Sequence, residues 1–200
     1  AGAVSALTAP GAERVGIGFG AYPVIHPTER RFATVNMNAL TVTDLATATS
    51  IASWFDTEPV VARSQVVWAG ADGDWLVVLG WDFTGWRLES FRPDDLGRRV
   101  AMRPLDVPGP TSSSGPYEVS LAGVDADGNV VVAITDPTGT RLRAFDPDTL
   151  TATGDDVTLP AGASRVRIDT AGRTMWVDEA GDLVLLAPGA DPRVVTSGVV

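Results

Sequence analysis

The sequence predicts an all-β fold of about four modules, each made of four short antiparallel strands. Three observations predict it. Apolar residues come in short runs bounded by turn residues such as Asp-Gly, Pro-Asp and Pro-Thr-Gly. Apolar spacing nowhere holds at i, i+3, i+4, i+7 long enough for a helix. One strand-and-turn pattern recurs along the chain.

The pattern is clearest over residues 117–160. Glu118 to Val124 reads as a first strand, closed by the turn Asp125-Ala126-Asp127-Gly128-Asn129. Gly takes a positive φ there without penalty, and Asp and Asn bond their own backbone. Val130 to Ile134 is a second strand, apolar on both faces, as a strand covered on both sides should be. After Asp136-Pro137-Thr138-Gly139, Arg141 to Phe145 forms a third strand. Asp146-Pro147-Asp148-Thr149 turns the chain again, and Asp156 to Leu159 is a short fourth strand.

The turn at Asp127-Gly128 has counterparts at Thr28-Glu29, Asp72-Gly73 and Ala171-Gly172, spaced 44, 55 and 44 residues apart. Two equal spacings and one longer by eleven describe one module with one insertion. Second strands follow each anchor at Phe32 to Val35, Trp75 to Leu79 and Thr174 to Val177. Third strands follow at Ala39 to Val42, Trp86 to Phe91 and Asp182 to Leu186. The modules are therefore expected at about 21–62, 63–116, 117–162 and 163–200. Residues 1–20 add two strands, Ala3 to Leu7 and Glu13 to Phe19, the outer strands of an incomplete blade or strands that close a ring.

Four-strand modules at this spacing are the signature of a β-propeller, one module per blade. Two strands around a D-G turn, then an apolar-x-apolar strand and a D-x-D/T turn, resemble blades of the TolB-like and YVTN/NHL-like propellers. The resemblance covers residues 21–200 and implies fold alone, since such blades serve many unrelated functions. A ring of four or five blades and a part of a larger propeller both fit the count.

Composition excludes several functions. The net charge of −10 and pI near 4.4 lack the basic footprint of nucleic-acid binding. All fifteen basic residues are Arg, as in the codon usage of a GC-rich genome. Without Cys there is no disulfide, thiol catalysis or Cys-based metal site. No apolar run is long enough to span a membrane. The chain begins at Ala1, which fits a removed leader or a piece of a longer protein, and an extracytoplasmic or secreted location is expected.

In a four-stranded antiparallel blade, the second-to-third loops and the connections between blades share one face. That face collects Asp82 to Gly85, Asp136 to Thr140 and Glu179 to Gly181, together with the long Pro/Gly/Ser stretch 106–116. Loops on rigid scaffolds carry function, so a ligand site is expected there. Trp81 and Trp86 bracket Asp82–Gly85 and could stack on a sugar or anchor a partner. The competing reading of the tryptophans, which also include Trp68 and Trp75, is packing between blades. The expected ligand-binding residues are Trp81, Asp82, Trp86, Asp136 and Glu179.

No catalytic set and no metal or cofactor site is expected. His26, the only histidine, fills a slot held elsewhere by Gly70, Asp125 and Asp169, and reads as turn support rather than a general base. Asp125-x-Asp127-Gly128-Asn129 imitates a calcium loop, but its position 12 is Asp136 and a strand fills the ligand positions between. Gly16-x-Gly18-x-x-Ala21 imitates a dinucleotide fingerprint, but Pro23 and Pro27 forbid the helix it needs. The leading expectation is a non-catalytic binding or scaffold module for a protein or carbohydrate partner, or for the rest of a larger propeller. The alternative is a secreted carbohydrate-active enzyme using Asp/Glu pairs near the channel, such as Asp82, Asp136 and Glu179.

Overall fold

The computed structural model describes residues 3–4, 15–16, 23–36, 38–55, 62–82, 84–109 and 117–199. Two short strands near the start, β1 (Ala3–Val4) and β2 (Val15–Gly16), pair antiparallel with each other. The other parts of the strands expected over 3–7 and 13–19 lie outside the described residues.

Four antiparallel four-stranded blades follow. The first holds β3 (Val24–Ile25), β4 (Arg31–Asn36), β5 (Ala39–Asp44) and β6 (Ser50–Phe55). The second holds β7 (Ala62–Ala69), β8 (Trp75–Trp81), β9 (Trp86–Arg92) and β10 (Asp95–Pro104). The third holds β11 (Glu118–Val124), β12 (Val130–Asp136), β13 (Gly139–Phe145) and β14 (Val157–Thr158). The fourth holds β15 (Ser164–Ile168), β16 (Thr174–Val177), β17 (Leu183–Leu186) and β18 (Arg193–Thr196). In every blade the strands pair in sequence order. The eleven extra residues of the second module are not all loop: β10 runs for ten residues, with bulges, before the connection begins at Leu105.

The first strand of each blade lies innermost. β7 touches β3 and β4 on one side and β11 on the other, and β11 touches β15. A single parallel bridge, Gly123 to Ile168, joins the third and fourth blades along their inner strands. Three of these inner strands, β7, β11 and β15, carry a bulge. Bulges increase local twist and re-aim side chains.

Three apolar clusters fill the spaces between blades. Val35, Leu40, Trp68, Leu76 and Phe91 pack the first blade on the second. Trp75, Leu79, Leu88, Val132 and Ile134 pack the second on the third. Val131, Leu142, Val166 and Trp176 pack the third on the fourth. Central strands such as β8 and β12 contribute side chains to both flanking clusters, which is why they are apolar throughout.

The turns after the first strands repeat one device. Asp125 Oδ1 accepts from the N–H groups of Asp127 and Asn129, both at 2.9 Å. Asp169 does the same with Ala171 and Arg173. His26 performs this role with its ring: Nδ1 accepts from the Thr28 N–H at 3.2 Å and the Glu29 N–H at 2.9 Å. Nε2 therefore carries the proton and donates to the Gly73 carbonyl at 3.0 Å, tying the first blade to the second. Next along the arc, the Gly70 N–H donates to the Gly128 carbonyl at 2.8 Å, tying the second blade to the third.

Candidate functional site

Trp81, Asp82 and Trp86 come together on the hairpin between β8 and β9. Trp81 and Trp86 are direct cross-strand partners at its end. Asp82 holds the loop in shape: Oδ1 accepts from the Thr84 N–H at 2.7 Å, the Thr84 hydroxyl at 2.6 Å and the Gly85 N–H at 3.2 Å. Its other oxygen accepts from Arg87 at 3.1 Å. The Thr84 hydroxyl, helped by the two backbone N–H groups and Arg87, holds the Asp82 carboxyl below the usual carboxylate range.

The connection to the third blade runs beside this hairpin. The Trp86 N–H donates to the Val107 carbonyl at 3.0 Å, and the Leu105 N–H donates to the Trp86 carbonyl at 2.9 Å. Leu105 and Val107 are buried in the core between the second and third blades. The two segments approach so closely that a Cβ on Gly85 would stand 2.6 Å from the Val107 oxygen, and one on Gly109 would stand 2.6 Å from the Asp82 oxygen. A cavity of about 390 Å³ opens between them, lined by Asp82, Trp86, Arg87, Met102 and Asp106 among others. The Trp86 indole N–H is buried and has no acceptor among the described residues. Phe83 and residues 110–116 of the long connection lie outside the described residues.

Behind the cavity stands an ionic cluster that sequence reasoning did not find. Glu89 is fully buried and accepts from Arg63 Nε at 2.6 Å and Arg99 Nη1 at 2.7 Å. Arg87 Nη2 lies 2.9 Å from the same carboxylate, so Arg87 joins Glu89 to Asp82 at the cavity. The Arg63 guanidinium also lies over Trp54 of the first blade, 4.2 Å from the ring centre. Gly80 stands opposite both Arg63 and Arg87 in the sheet, so no side chain on the central strand competes for their space. The signal was present: Arg87 and Glu89 alternate on the face of a strand that must be buried.

Trp81, Asp136 and Glu179 do not line this cavity. Asp136 Oδ1 accepts from the Thr138 hydroxyl and N–H within its own turn, and these bonds hold its carboxyl below the usual range. Glu179 is exposed in the corresponding turn of the fourth blade, where Gly162 packs closely against it. Trp68 and Trp75 are buried between blades; Trp68 donates to the Val24 carbonyl at 2.8 Å, and Arg92 lies over Trp75. Asp127 and Gly128 form the tight turn described above. Among the described residues, no group of three or more His, Asp or Glu is placed to hold a metal ion, and no helix is long and apolar enough to cross a membrane.

No family model and no curated protein sequence matches the chain. Solved structures do. The dihydro-heme d1 dehydrogenase NirN, in complex with DHE, superposes with a TM-score of 0.59 at 14% identity, over 92% of this chain and 38% of that one. TolB from Acinetobacter baumannii gives 0.56 at 12%, over 88% and 43%. Porphyromonas gingivalis dipeptidyl peptidase 4 gives 0.54 at 12%, over 93% and 34%. The chain thus spans less than half the length of each. At these identities the likeness is one of fold: four antiparallel blades of a β-propeller.

Proposed function

We propose that this propeller domain is a non-catalytic binding module. Its loop face takes a glycan or a protein segment in the cavity between Asp82, Trp86 and Asp106. One observation carries the reading: an indole, two carboxylates and a guanidinium converge on a single cavity of about 390 Å³, within the size range of small-ligand sites. A half-buried indole offers a ring face for stacking, and Asp82 and Arg87 offer fixed hydrogen-bond partners. Sugars and peptide backbones both carry the mixed donors and acceptors such a wall recognises. An extracytoplasmic location belongs to this reading, because that is where a secreted module would meet glycans.

The alternative, a carbohydrate-active enzyme, requires one carboxyl kept protonated as general acid. Asp82 and Asp136 are instead held ionised by their turn donors. That environment suits a hydrogen-bond acceptor better than an acid catalyst, and it favours the binding reading.

Glycan and peptide arrays probed with the wild-type chain test the proposal. Binding to one ligand class, reduced at least tenfold by Trp86→Ala and less by Trp86→Phe, is the expected result. Binding untouched by Trp86→Ala would remove the cavity from the account. Turnover of an array ligand, lost on replacing Asp82, Asp136 or Glu179 singly in a folded variant, would establish the enzyme instead.

A further inference from the structure

The same loop face holds a second opening, at the end of the groove between the inner strands. A cavity of about 400 Å³ is lined there by Gln65 of β7, Glu118 and Ser120 of β11, and Arg165 and Arg167 of β15. It shares Gln65 and Arg167 with a larger cavity of about 750 Å³ that is lined by β3, β7, β11 and β15.

Two of the groups at this opening are each held in place by one hydrogen bond. Gln65 Oε1 accepts the Leu121 N–H at 2.7 Å, across the gap between two blades. That bond fixes the amide, and its NH₂ group has no acceptor among the described residues. Among the described residues, Arg167 Nη1 donates to the neighbouring Val166 carbonyl alone, at 2.7 Å. Neither Arg165 nor Arg167 meets a carboxylate among the described residues, whereas most arginines of the blade interfaces and turns do. Glu118 is the single acid on the cavity wall, so the opening keeps an excess of positive charge in a chain whose net charge is −10. Arg165 is also held at a φ of +51°, in the bulge of β15. A non-glycine residue there is strained and persists where its placement is over-determined. A bulge re-aims the side chains it carries.

We infer that this opening is an oxyanion site, in which Arg165, Arg167 and the Gln65 amide hold a carboxylate or phosphate of a small ligand. Guanidinium groups match both anions through paired N–H donors, and the amide supplies a neutral third donor. Nothing in the site requires Trp86, so it stands independently of the cavity between Asp82 and Asp106.

Calorimetric titration of the whole chain with inorganic pyrophosphate, and separately with citrate, tests the inference. One saturable site per chain is expected for at least one probe. Arg165→Gly and Arg167→Gln should each weaken it at least tenfold, while Arg193→Gln, on exposed β18, leaves it unchanged. Arg165→Gly removes the charge and relieves the positive φ, so its melting temperature should not fall and lost binding cannot be lost folding. Tighter pyrophosphate binding assigns a phosphate-bearing ligand, and tighter citrate binding a carboxylate. No saturable binding of either probe, or equal weakening by Arg193→Gln, would overturn the site.

Discussion

Replacing Glu89 by Gln should destabilise the domain by about 3–5 kcal/mol, the usual cost of breaking a buried ion pair from one side. The Glu89 carboxylate is fully buried and lies within 2.6–2.9 Å of three guanidinium groups. At an effective dielectric of about 20, each opposite-charge pair 4 Å apart gains about 4 kcal/mol. Three pairs together offset desolvation penalties of several kcal/mol per ion. Gln keeps the shape and the acceptor oxygen but removes the one negative charge that the three guanidinium groups share. A chain of this size loses about 2–4 °C per kcal/mol, so the melting temperature should fall by about 6–20 °C. Asp94→Asn supplies the contrast. It breaks the Arg31–Asp94 pair, 3.1 Å long but with an exposed carboxylate, and should cost no more than about 1 kcal/mol. Urea unfolding at pH 7, followed by tryptophan fluorescence, measures both. A Glu89→Gln loss no larger than that of Asp94→Asn would refute the argument.

Two further outcomes are expected. Gly128→Ala should cost at least about 2 kcal/mol, because φ is +85° and a Cβ would stand 2.7 Å from the backbone of Ala71 and Gly70 in the next blade. Gly154→Ala, at φ +86° in open space, should cost only the conformational strain of about 1 kcal/mol; equal losses in urea unfolding would show that the interblade contact is not what constrains Gly128. Stability should also fall in acid. Asp146, held below its usual range by the Thr149 N–H and hydroxyl and the Asp148 N–H, and Asp169, held there by Arg173, favour the ionised form in the fold. Their contribution is complete above the unfolded carboxylate value of about 3.9 and is lost as pH falls through the lower folded values. Urea midpoints measured from pH 5 to pH 2 should decline, and Asp146→Asn should flatten the decline.

The blades were legible because each strand and turn carries its own local signal. Val130 to Ile134 can only be a doubly covered strand, and Asp125-x-Asp127-Gly128-Asn129 can only turn, so β11 and β12 fall where the residues put them. His26 was legible as turn support because the repeat supplied its equivalents, Asp125 and Asp169. The site was legible only in part. Trp81, Asp82 and Trp86 are neighbours along one hairpin, which sequence spacing reveals. Whether Asp136 and Glu179 approach them depends on blade-to-blade geometry that no local pattern encodes, and each sits in its own turn. The Glu89 cluster escaped notice because its members come from β7, β9 and β10 and meet only once the sheet forms. Arg165 and Arg167 escaped for the same reason, since their place beside Gln65 and Glu118 is a property of the assembled inner strands.

The most direct test of the binding account is to titrate the strongest array ligand into the wild-type chain and into Trp86→Ala by calorimetry, and then to recover that ligand by mass spectrometry after prolonged incubation. One site per chain, lost in Trp86→Ala, with the ligand returned intact, is the expected result. Unchanged affinity in the variant, or recovery of cleaved ligand from the wild type, would contradict it.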